Sequence, residues 1–552
     1  MSVDEEVAGV VLRVKSEDGI SLAVAEAGTP DGPTVVCVHG YPDNRSLWDP
    51  VADALGDRYR VISYDVRGAG ESDKPRGHHP YHLDLLEADL AAVVGEVSPD
   101  RPVHLLAHDW GAIQSWHAVT GERLRGRIAS FTSISGPCLD HAGFWLRSRL
   151  RPWPRALREL ARQLAHSLYI AWFQLPGLPE LAWRTGVGAR AMRRLDSTAA
   201  EPAVPDAVHG LGLYRANMLP RLLRPESRRT DIPVQVLAPT EDAFVGTALQ
   251  TSIARWASDL RVREIPGGHW LPRQKPHVIA RCAAELIEHV EGGDEPRSLR
   301  RARVRTGKHA RFAEQLVVIT GAGNGIGRAT ALAFAEMGAE LALTDVDEVS
   351  LRRTAELAKR LGAQATVSVV DVADTDAMTR FAEQVRGTHG APDIVVNNAG
   401  IGLVRSFRET TPADWERIID VNLWGVIYGC RFFAQQMRER GEGGHIVNIA
   451  SAAAYRPSKR MPAYATTKSA VLMLSECLRA ELAADGIGVT AICPAVAYAS
   501  FTAPSGELDA GDAGEEKTRQ RALSSAYRRR DYQPERVAEQ IVRAIERNAA
   551  IA

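Results

Sequence analysis

The fold of the first half of the chain is decided by the stretch Val103-His-Leu-Leu-Ala-His-Asp-Trp-Gly-Ala112. An apolar run ends at Ala107, and a helical pattern begins after Asp109. Small residues stand two positions on either side of Asp109, at Ala107 and Gly111, and this spacing predicts a sharp turn from a strand into a helix. Such a turn lifts one side chain clear of the sheet. Here that side chain is a carboxylate, which can attack an electrophilic carbon directly.

Short apolar runs on both sides of this turn alternate with longer helical patterns. In the first half, the runs cover residues 35–38, 61–64, 103–107, 131–134 and 234–238. In the second half, they cover residues 317–320, 341–344, 367–370, 394–397, 446–449 and 489–493. The alternation predicts an α/β protein with two mostly parallel sheets, each covered by helices. Because the two halves carry different motifs, we expect a fusion and not a duplication.

Length and composition agree with two domains. The chain has 552 residues, more than one hydrophobic core usually organises. Its formal net charge of -1 gives no general attraction to nucleic acid. The acidic first residues, and the lack of any run of about 18 apolar residues, predict a cytoplasmic chain. The six cysteines have no zinc-type spacing, so we expect reduced packing residues and no metal site.

Further motifs of the first half follow in a fixed order. His39-Gly-Tyr-Pro42 follows an early strand, Pro239-Thr-Glu-Asp242 ends a later one, and Gly267-Gly-His-Trp270 comes after the next. Together with His108-Asp-Trp-Gly111, these motifs resemble the epoxide hydrolase and haloalkane dehalogenase branch of the α/β-hydrolases, over about residues 10–293. The resemblance implies an α/β-hydrolase fold with a helical lid.

The resemblance also implies the roles of three side chains. Asp109 is the nucleophile that forms an ester with the substrate, and His269 is the base that activates water to hydrolyse this ester. Asp242 orients His269 and stabilises its charged form. Glu241 is adjacent and stays an alternative for this acid.

The remaining groups expected at this site are hydrogen-bond donors. The resemblance places the oxyanion hole at the backbone N–H groups of Tyr41 and Trp110. Tyr169 and Tyr214 lie in segments similar to the lid segments of epoxide hydrolases, where tyrosines protonate the opening epoxide. A dehalogenase would instead bind halide with Trp110 and a second donor such as Trp172. With both tyrosines present we favour epoxide hydrolysis, and a dehalogenase stays the alternative.

The second half opens with the glycine-rich turn Leu316-Val-Val-Ile-Thr-Gly-Ala-Gly-Asn-Gly-Ile-Gly327, between a strand and a helix. Such a turn presents backbone N–H groups and a helix N-terminus to a pyrophosphate. Asp345 ends the next strand, where a carboxylate accepts hydrogen bonds from ribose hydroxyls and repels a 2′-phosphate. We therefore expect NAD as the cofactor in preference to NADP.

This glycine pattern resembles the short-chain dehydrogenase/reductase family, and so do Asn397-Asn-Ala-Gly400, Asn422, Ser451 and Tyr464-Ala-Thr-Thr-Lys468. The resemblance implies that Tyr464 exchanges a proton with the substrate, with its pKa lowered by Lys468 one helical turn away. Ser451 would hold the substrate oxygen, and Asn422 would steady a water relay. The predicted cofactor contacts are Gly321, Gly323, Asn324, Gly325, Ile326, Gly327, Asp345, Asp371, Val372, Asn398, Ala399, Gly400, Tyr464, Lys468 and Pro494.

The second half departs from the family pattern at two places. After the sixth strand, the usual Pro-Gly is replaced by Pro-Ala at Pro494, so Ser500 or Thr502 would have to anchor the nicotinamide. The chain stops at residues 548–552, where the family forms a seventh strand, so we expect an incomplete sheet edge. A non-catalytic module that binds NAD and dimerises through helices such as 462–484 is the alternative to a dehydrogenase.

The expected domains are an α/β-hydrolase over residues 1–295 with its lid over about 138–228, a basic linker over 296–312, and a short-chain dehydrogenase over 313–552. The whole resembles the EphD type of actinobacterial fusion, which joins an epoxide hydrolase to such a dehydrogenase. This implies hydrolysis of epoxides to vicinal diols, together with nicotinamide-dependent oxidation or reduction of an alcohol or carbonyl. It also implies small-molecule substrates and a homo-oligomer formed through the dehydrogenase half.

The lid carries a basic amphipathic pattern. Glu159 is the one acidic residue among six arginines, which are Arg147, Arg149, Arg151, Arg155, Arg158 and Arg162. A basic amphipathic helix can lie on an anionic membrane, and contact of this kind would favour lipid-like epoxides as substrates. A lid with one solvated face is the interpretation that we favour here.

Overall fold

The computed structural model describes residues 11–150, 153–305, 310–494 and 533–552. Both halves of the chain are α/β structures, which confirms the predicted fold class. The predicted strands are present, and their ends lie within about three residues of the predicted ones. Within these ranges, no helix is both long and apolar enough to cross a membrane.

The chain divides into two compact units, Met1–Val304 and Arg305–Ala552. In its described part, the first unit has an eight-stranded sheet of order β1-β2-β4-β3-β5-β6-β7-β8. The strands are β1 (Val11–Lys15), β2 (Ser21–Gly28), β3 (Thr34–Val38), β4 (Arg60–Tyr64), β5 (Val103–His108), β6 (Ile128–Ile134), β7 (Val234–Pro239) and β8 (Leu260–Ile265). Strand β2 is antiparallel to both neighbours, and all other pairs are parallel. The loops after β3, β5, β7 and β8 therefore meet at one edge of the sheet.

Helices cover both faces of this sheet. Val35 and Cys37 of β3 belong to one apolar core, and Val36 and Val38 belong to a second, as expected of a strand buried on both faces. The helices before the lid are α1 (Asp49–Leu55), α2 (Leu83–Val97) and α3 (Trp110–Val119). The lid helices between β6 and β7 are α4 (Leu139–Arg149), α5 (Pro154–His166), α6 (Leu168–Phe173), α7 (Leu178–Arg184), α8 (Val187–Leu195) and α9 (Val204–Leu223). After the lid come α10 (Thr247–Thr251), α11 (Leu271–Gln274), α12 (Pro276–Val290) and α13 (Arg297–Ala302).

The structure differs from the linker expected over residues 296–312. The first part of this range is helix α13, in which Leu299 is buried, and Arg303 forms a bridge with Arg261 of β8. These residues belong to the first unit, which extends to Val304. The linker prediction is therefore wrong for this part, because one buried leucine in a six-residue helix is too little to produce a visible apolar period.

The described residues of the second unit form a six-stranded parallel sheet of order β11-β10-β9-β12-β13-β14. Its strands are β9 (Leu316–Thr320), β10 (Glu340–Asp345), β11 (Ala365–Val369), β12 (Ile394–Asn397), β13 (Gly444–Ile449) and β14 (Ile487–Ile492). Its helices are α14 (Gly325–Glu336), α15 (Glu348–Arg360), α16 (Thr375–His389), α17 (Pro412–Ile419), α18 (Gly425–Arg440), α19 (Pro462–Glu481) and α20 (Pro534–Arg547). The strand order reverses between β9 and β12, and ligands of such sheets bind outside the strand ends at this point.

The last residues of the chain pair with β14. The N–H of Ala491 donates to Ala550 O at 2.9 Å, and the N–H of Cys493 donates to Ala552 O at 2.8 Å. Ile551 forms a parallel bridge with Ala491. This isolated bridge thus covers part of the sheet edge beside β14, where we expected an incomplete edge, and the described residues form no seventh strand there. A short segment suffices here because these contacts need only backbone groups.

Candidate active sites

Asp109 stands on the turn between β5 and α3, with a backbone φ of 50°. A positive φ is costly for a residue other than glycine, so the surroundings must hold this conformation. Glycine neighbours allow the close packing. A Cβ on Gly40 would lie 2.5 Å from Asp109 Cβ and Oδ2, and one on Gly111 would lie 2.1 Å from Val38 O. The sharp turn expected from the sequence is thus present, at the carboxyl edge of the sheet.

The Asp109 carboxylate lies beside the backbone N–H groups of Tyr41 and Trp110. The N–H of Tyr41 donates to Oδ2 at 2.8 Å, and the N–H of Trp110 helps to lower the pKa of the carboxyl group. His39 steadies the turn that carries Tyr41, because its Nε2 accepts the N–H of Val66 at 3.0 Å. Both residues expected in the oxyanion hole therefore lie beside this carboxylate.

His269 lies between two carboxylates. Its Nδ1 is 3.0 Å from Oδ2 and 3.1 Å from Oδ1 of Asp242, and its Nε2 is 3.8 Å from Oδ1 of Asp109. Asp242 also accepts the backbone N–H groups of Phe244 and Val245, at 2.8 and 3.0 Å. The structure thus brings the three expected side chains together, and all three are buried.

The charges of these groups depend on one another. Burial raises the pKa of Asp109 to about 6, against the opposing effects of His269 and the two backbone N–H groups. Burial disfavours a charged His269, but Asp242 and, more weakly, Asp109 outweigh it and raise the pKa of His269 to about 9. Burial also disfavours the ionised form of Asp242, yet His269 holds the pKa of this carboxyl below its ordinary value. Glu241, the alternative acid, is exposed, and Asp242 makes the contact with the ring.

Tyr169 on α6 and Tyr214 on α9 belong to an aromatic wall beside the nucleophile. Their ring centroids are 5.9 Å apart, and the Tyr214 ring packs edge-on against Trp110 at 4.9 Å and Tyr41 at 5.3 Å. Burial raises the pKa of both phenols, and the charge of Asp109 raises it further. Both tyrosines are therefore neutral, protonated groups close to the carboxylate.

A lid carboxylate that the sequence analysis missed holds the loop of the expected base. Asp196 follows α8, and its Oδ2 accepts the backbone N–H of His269 at 2.9 Å. Gln274 strengthens the connection, because its Oε1 accepts the N–H of Gly268 at 3.0 Å and its Nε2 donates to Thr198 Oγ1 at 2.8 Å. No local motif could have indicated this contact, since its partners are 73 positions apart in the chain.

In the second unit, the glycine-rich turn joins β9 to α14. Gly321 and Gly325 have φ values of 63° and 53°. A Cβ on Gly327 would lie 2.1 Å from Gly321 O, and one on Gly323 would lie 2.8 Å from Asp345 Oδ2. The turn is therefore tight enough to leave the first backbone N–H groups of α14 open to a ligand, as a dinucleotide pyrophosphate requires.

Asp345 lies beside this turn at the end of β10. Its Oδ2 accepts the N–H of Gly323 at 2.8 Å, and its Oδ1 accepts the N–H of Asp347 at 3.0 Å. Arg328 is a cation near the turn, but it is engaged by the protein itself. Its Nη2 donates to Gly323 O and its Nε donates to Thr354 Oγ1. The turn therefore presents a carboxylate toward the position expected for the ribose.

Lys468 and Tyr464 lie on one face of α19, as their spacing predicts. Lys468 Nζ donates to Ile449 O at 2.8 Å and lies 5.8 Å from the centroid of the Tyr464 ring. Burial lowers the pKa of Lys468 to about 8. A Cβ on Gly400 would lie 3.4 Å from this Nζ, so the glycine leaves room beside the ammonium group.

Asn422 and Ser451 complete the expected set. Asn422 stands in a π-helical turn between α17 and α18, a kind of helical irregularity common at functional sites. Its Oδ1 accepts the N–H of Ile401 at 2.8 Å, and its Nδ2 donates to Ile401 O at 2.9 Å. This side chain therefore holds the loop after β12. Ser451 Oγ accepts the N–H of Ala453 at 3.1 Å at the end of β13.

One open cleft at the carboxyl edge of this sheet gathers the predicted cofactor residues. All of them line it except Gly323 and Gly327, which support the turn from behind. Tyr455, Arg456 and Met461 also line the cleft, and the sequence analysis did not single them out. The proposed nicotinamide anchors Ser500 and Thr502 lie outside the described residues.

Comparisons with known proteins match both units. The family model for the alpha/beta hydrolase fold matches residues 33–276, and the model for short chain dehydrogenase matches residues 315–508. A Mycobacterium bovis protein described as "Probable oxidoreductase EphD" is 41% identical over 98% of this chain and 93% of its own length. A Mycobacterium tuberculosis protein of the same description gives the same values. A solved short-chain dehydrogenase/reductase from Burkholderia phymatum, in complex with NAD, matches with a TM-score of 0.39 and 30% identity, over 44% of this chain and 89% of that one.

Proposed function

Since the chain belongs to the EphD family and joins an α/β-hydrolase to a short-chain dehydrogenase, we propose that its first unit hydrolyses epoxides and its second oxidises or reduces an alcohol or carbonyl with NAD. The observation that carries the hydrolase proposal is the position of Asp109. Its buried carboxylate accepts the backbone N–H of Tyr41, lies 3.8 Å from His269 and is bordered by the protonated phenols of Tyr169 and Tyr214.

The first step is the formation of an ester. A carboxylate oxygen of Asp109 attacks one epoxide carbon, and the bond from this carbon to the ring oxygen breaks. The ring oxygen takes a proton from Tyr169 or Tyr214, so that no free alkoxide forms in the dry site. The product is a hydroxyalkyl ester of Asp109. Removal of water from around the carboxylate, which burial achieves here, makes it a better nucleophile.

The second step is the hydrolysis of this ester. His269 takes a proton from a water molecule that attacks the ester carbonyl, and the N–H groups of Tyr41 and Trp110 stabilise the negative oxygen. When the carbonyl forms again, the departing alkoxide takes the proton held by His269 and the diol leaves. The Asp109 carboxyl group formed in this step returns its proton to the tyrosinate left by the first step, which restores the starting enzyme. Esterification neutralises Asp109, whose charge helps to raise the pKa of His269 in the free enzyme. The imidazole thus becomes easier to deprotonate at the stage where a neutral base is needed.

The alternative of a haloalkane dehalogenase has less support. A dehalogenase needs a second N–H donor that faces the nucleophile. Trp172, the lid candidate, is 36% exposed and packs against Phe173. By contrast, the charge of Asp109 acts on both lid tyrosines, which suit the protonation of an epoxide oxygen.

Trapping the ester tests the hydrolase proposal. In a His269→Gln variant, ester formation proceeds and hydrolysis stops, so mass spectrometry should show an adduct of the intact epoxide mass on Asp109. The panel should contain aliphatic, aromatic and long-chain epoxides, with haloalkanes beside them. A haloalkane adduct would lack the halogen and would be accompanied by free halide. The double variant His269→Gln/Asp109→Asn is the control, and an adduct in this control would assign the nucleophile elsewhere.

The second unit supports nicotinamide chemistry because its glycine-rich turn packs closely, as the dinucleotide-binding turn requires. A Cβ on Gly321 would lie 2.8 Å from Ala399 Cα, and one on Gly327 would lie 2.1 Å from Gly321 O. A bound nicotinamide dinucleotide supplies the hydride acceptor or donor. For oxidation, Ser451 would hold the alcohol oxygen while Tyr464 removes its proton. Lys468, whose pKa burial lowers to about 8, would stabilise the phenolate form of Tyr464, which becomes a neutral phenol when it accepts this proton. In reduction the same proton returns to the carbonyl oxygen.

NAD is the cofactor that we propose, on the strength of Asp345. This carboxylate stands at the end of β10, while the nearby Arg328 is occupied by Gly323 O and Thr354. A 2′-phosphate would meet a negative charge and no available arginine among these residues. Titration of the full chain with NADH and NADPH, followed by fluorescence, tests this preference directly.

A screen of secondary alcohols separates a dehydrogenase from a module that only binds NAD. A dehydrogenase forms NADH with some members of the panel, and Tyr464→Phe abolishes this while NADH still binds. A vicinal diol made by the first unit belongs in the panel, because oxidation of one of its hydroxyls would give a hydroxyketone. Binding without any hydride transfer across the panel would identify the second unit as a binding module.

A further inference from the structure

The lid carries a row of exposed apolar side chains on its outer surface. On α5 and its N-cap, Trp153, Leu157 and Leu164 are separated by four and seven residues, which places them on one helix face. Trp153 is 68% exposed. The row continues on α6 with Leu168, 70% exposed, and Trp172. We call these five residues the lid row. Large apolar residues that are exposed together usually mark a contact surface.

Positive charge accompanies the lid row. Arg158 and Arg162 are exposed on α5, and neither forms an ion pair with the residues that the structure describes. The acidic residue of the same helix, Glu159, pairs with Arg149 at 3.0 Å. Residues 138–228 contain fourteen arginines, no lysine and seven acidic residues, an excess of seven positive charges in a chain of net charge -1.

The lid row lies on the solvent side of helices that also contact the hydrolase site. Gln163 on α5 is buried, its Oε1 accepts the N–H of Gly246 at 2.9 Å, and its Nε2 donates to Phe244 O at 3.2 Å. These two contacts hold α5 on the loop that follows Asp242. The next helix, α6, carries Tyr169 in the aromatic wall of the site. A partner that binds the lid row would therefore contact the outer side of the helices that border the hydrolase site.

We propose that the lid row docks the protein on an anionic lipid surface. Leucine and tryptophan side chains enter the interfacial layer of such a surface, and arginines on the polar side of the same helix pair with lipid phosphates. The positive charge of the lid favours an anionic lipid surface over a second copy of the chain as the binding partner. Two lids facing each other would each bring the same positive excess, which opposes association, whereas an anionic membrane is complementary.

Vesicle sedimentation with the full-length chain tests the proposal. Vesicles of phosphatidylcholine alone are compared with vesicles that also contain phosphatidylglycerol. The chain should bind the anionic vesicles and be released by salt, because screening weakens the arginine contacts. Failure to bind the anionic vesicles at low salt would overturn the proposal.

Two variants separate the apolar and the charged contributions. Leu157→Gln/Leu164→Gln removes half-exposed apolar groups and should abolish most of the binding. Arg158→Gln/Arg162→Gln should weaken it by about fivefold for each arginine. Unchanged binding by either variant would contradict the role of the row or of its charges. Both variants alter solvent-exposed positions, so their melting temperatures should equal that of the wild type.

Matched controls come from exposed positions of the second unit. Val349→Gln/Leu361→Gln removes exposed apolar groups, and Arg380→Gln/Arg431→Gln removes exposed charges. Both control variants should bind vesicles as the wild type does, and equal losses in the controls would overturn the assignment to the lid. Analytical ultracentrifugation completes the test. If the wild type is an oligomer and Leu157→Gln/Leu164→Gln dissociates it, the lid row is an interface between two copies of the chain and the lipid proposal is wrong.

Discussion

The two candidate sites differ in how their reactive groups are held. In the hydrolase site, His269 lies within 3.8 Å of both Asp109 and Asp242. Its charge lowers the pKa of both carboxyl groups, and both carboxylates raise the pKa of His269. In the dehydrogenase site, Lys468 and Ser451 are held by backbone groups beside an open cleft. The first arrangement suits a covalent reaction among buried charges. The second arrangement suits a site that binds a large cofactor, because a cleft held by backbone contacts has its shape before the cofactor binds.

The largest expected effect is the loss of one activity, and only one, in each of two variants. Asp109→Asn removes the nucleophile and should lower epoxide hydrolysis by about 10⁴-fold or more. Tyr464→Phe should lower hydride transfer by about 10²- to 10⁴-fold, since it removes the group that moves the proton. Initial rates of both reactions, measured on both variants, test the comparison. Each variant should keep the activity of the other unit, and a variant that loses both would show that the sites are not independent.

The next effect concerns the choice between NAD and NADP, and it tests the dehydrogenase site alone. Asp345→Asn keeps a hydrogen-bond acceptor for Gly323 but removes the charge that opposes a 2′-phosphate. The ratio of kcat/KM for NAD to that for NADP should fall by about 10- to 100-fold, the effect of one charged hydrogen bond. Hydrolase rates of the same variant serve as the control. A ratio equal to that of the wild type would remove Asp345 from the selection of cofactor.

Asp196 provides a smaller effect within the buried site. Asp196→Ala leaves the His269 backbone N–H without its acceptor, and we expect hydrolysis of the ester to slow by about tenfold. Asp196→Asn retains an oxygen acceptor and should recover most of this loss. Single-turnover measurements separate the two steps, and the formation of the ester should change little in either variant. Equal slowing of both steps would indicate a general disturbance of the lid.

The smallest effect is a shift in pH dependence. Ester formation requires the carboxylate form of Asp109, whose pKa is about 6, so its rate should fall as the pH drops through this value. His269 is one of the groups that lower the pKa of Asp109. In His269→Gln this effect is lost, so burial raises the pKa of Asp109 further. The pH at which the rate of ester formation falls should therefore move upward. Rates of adduct formation across pH test this, and an identical limb in both proteins would show that the two groups are not coupled.

Sequence patterns predicted the parallel strands and missed parts with weaker patterns. Strands such as β3, β5 and β9 are buried on both faces, and their unbroken apolar runs are easy to recognise. Strand β1 at the sheet edge and its neighbour β2 contain several exposed residues, which interrupt the apolar pattern, and they were not predicted. Helix α13 and the pairing of Ile551 with β14 were also missed. Both depend on contacts with distant parts of the chain.

The sequence by itself determined which chemical groups stand at each strand end, because turn geometry depends on a few neighbouring residues around Asp109 and the glycines of the second unit. Only the tertiary structure decided that Asp242 and not Glu241 contacts His269, and that Asp196 holds its loop. It also decided the protonation of the buried groups and the exposure of the lid row. These properties depend on distances and on the removal of water, which arise only when segments far apart in the chain pack together.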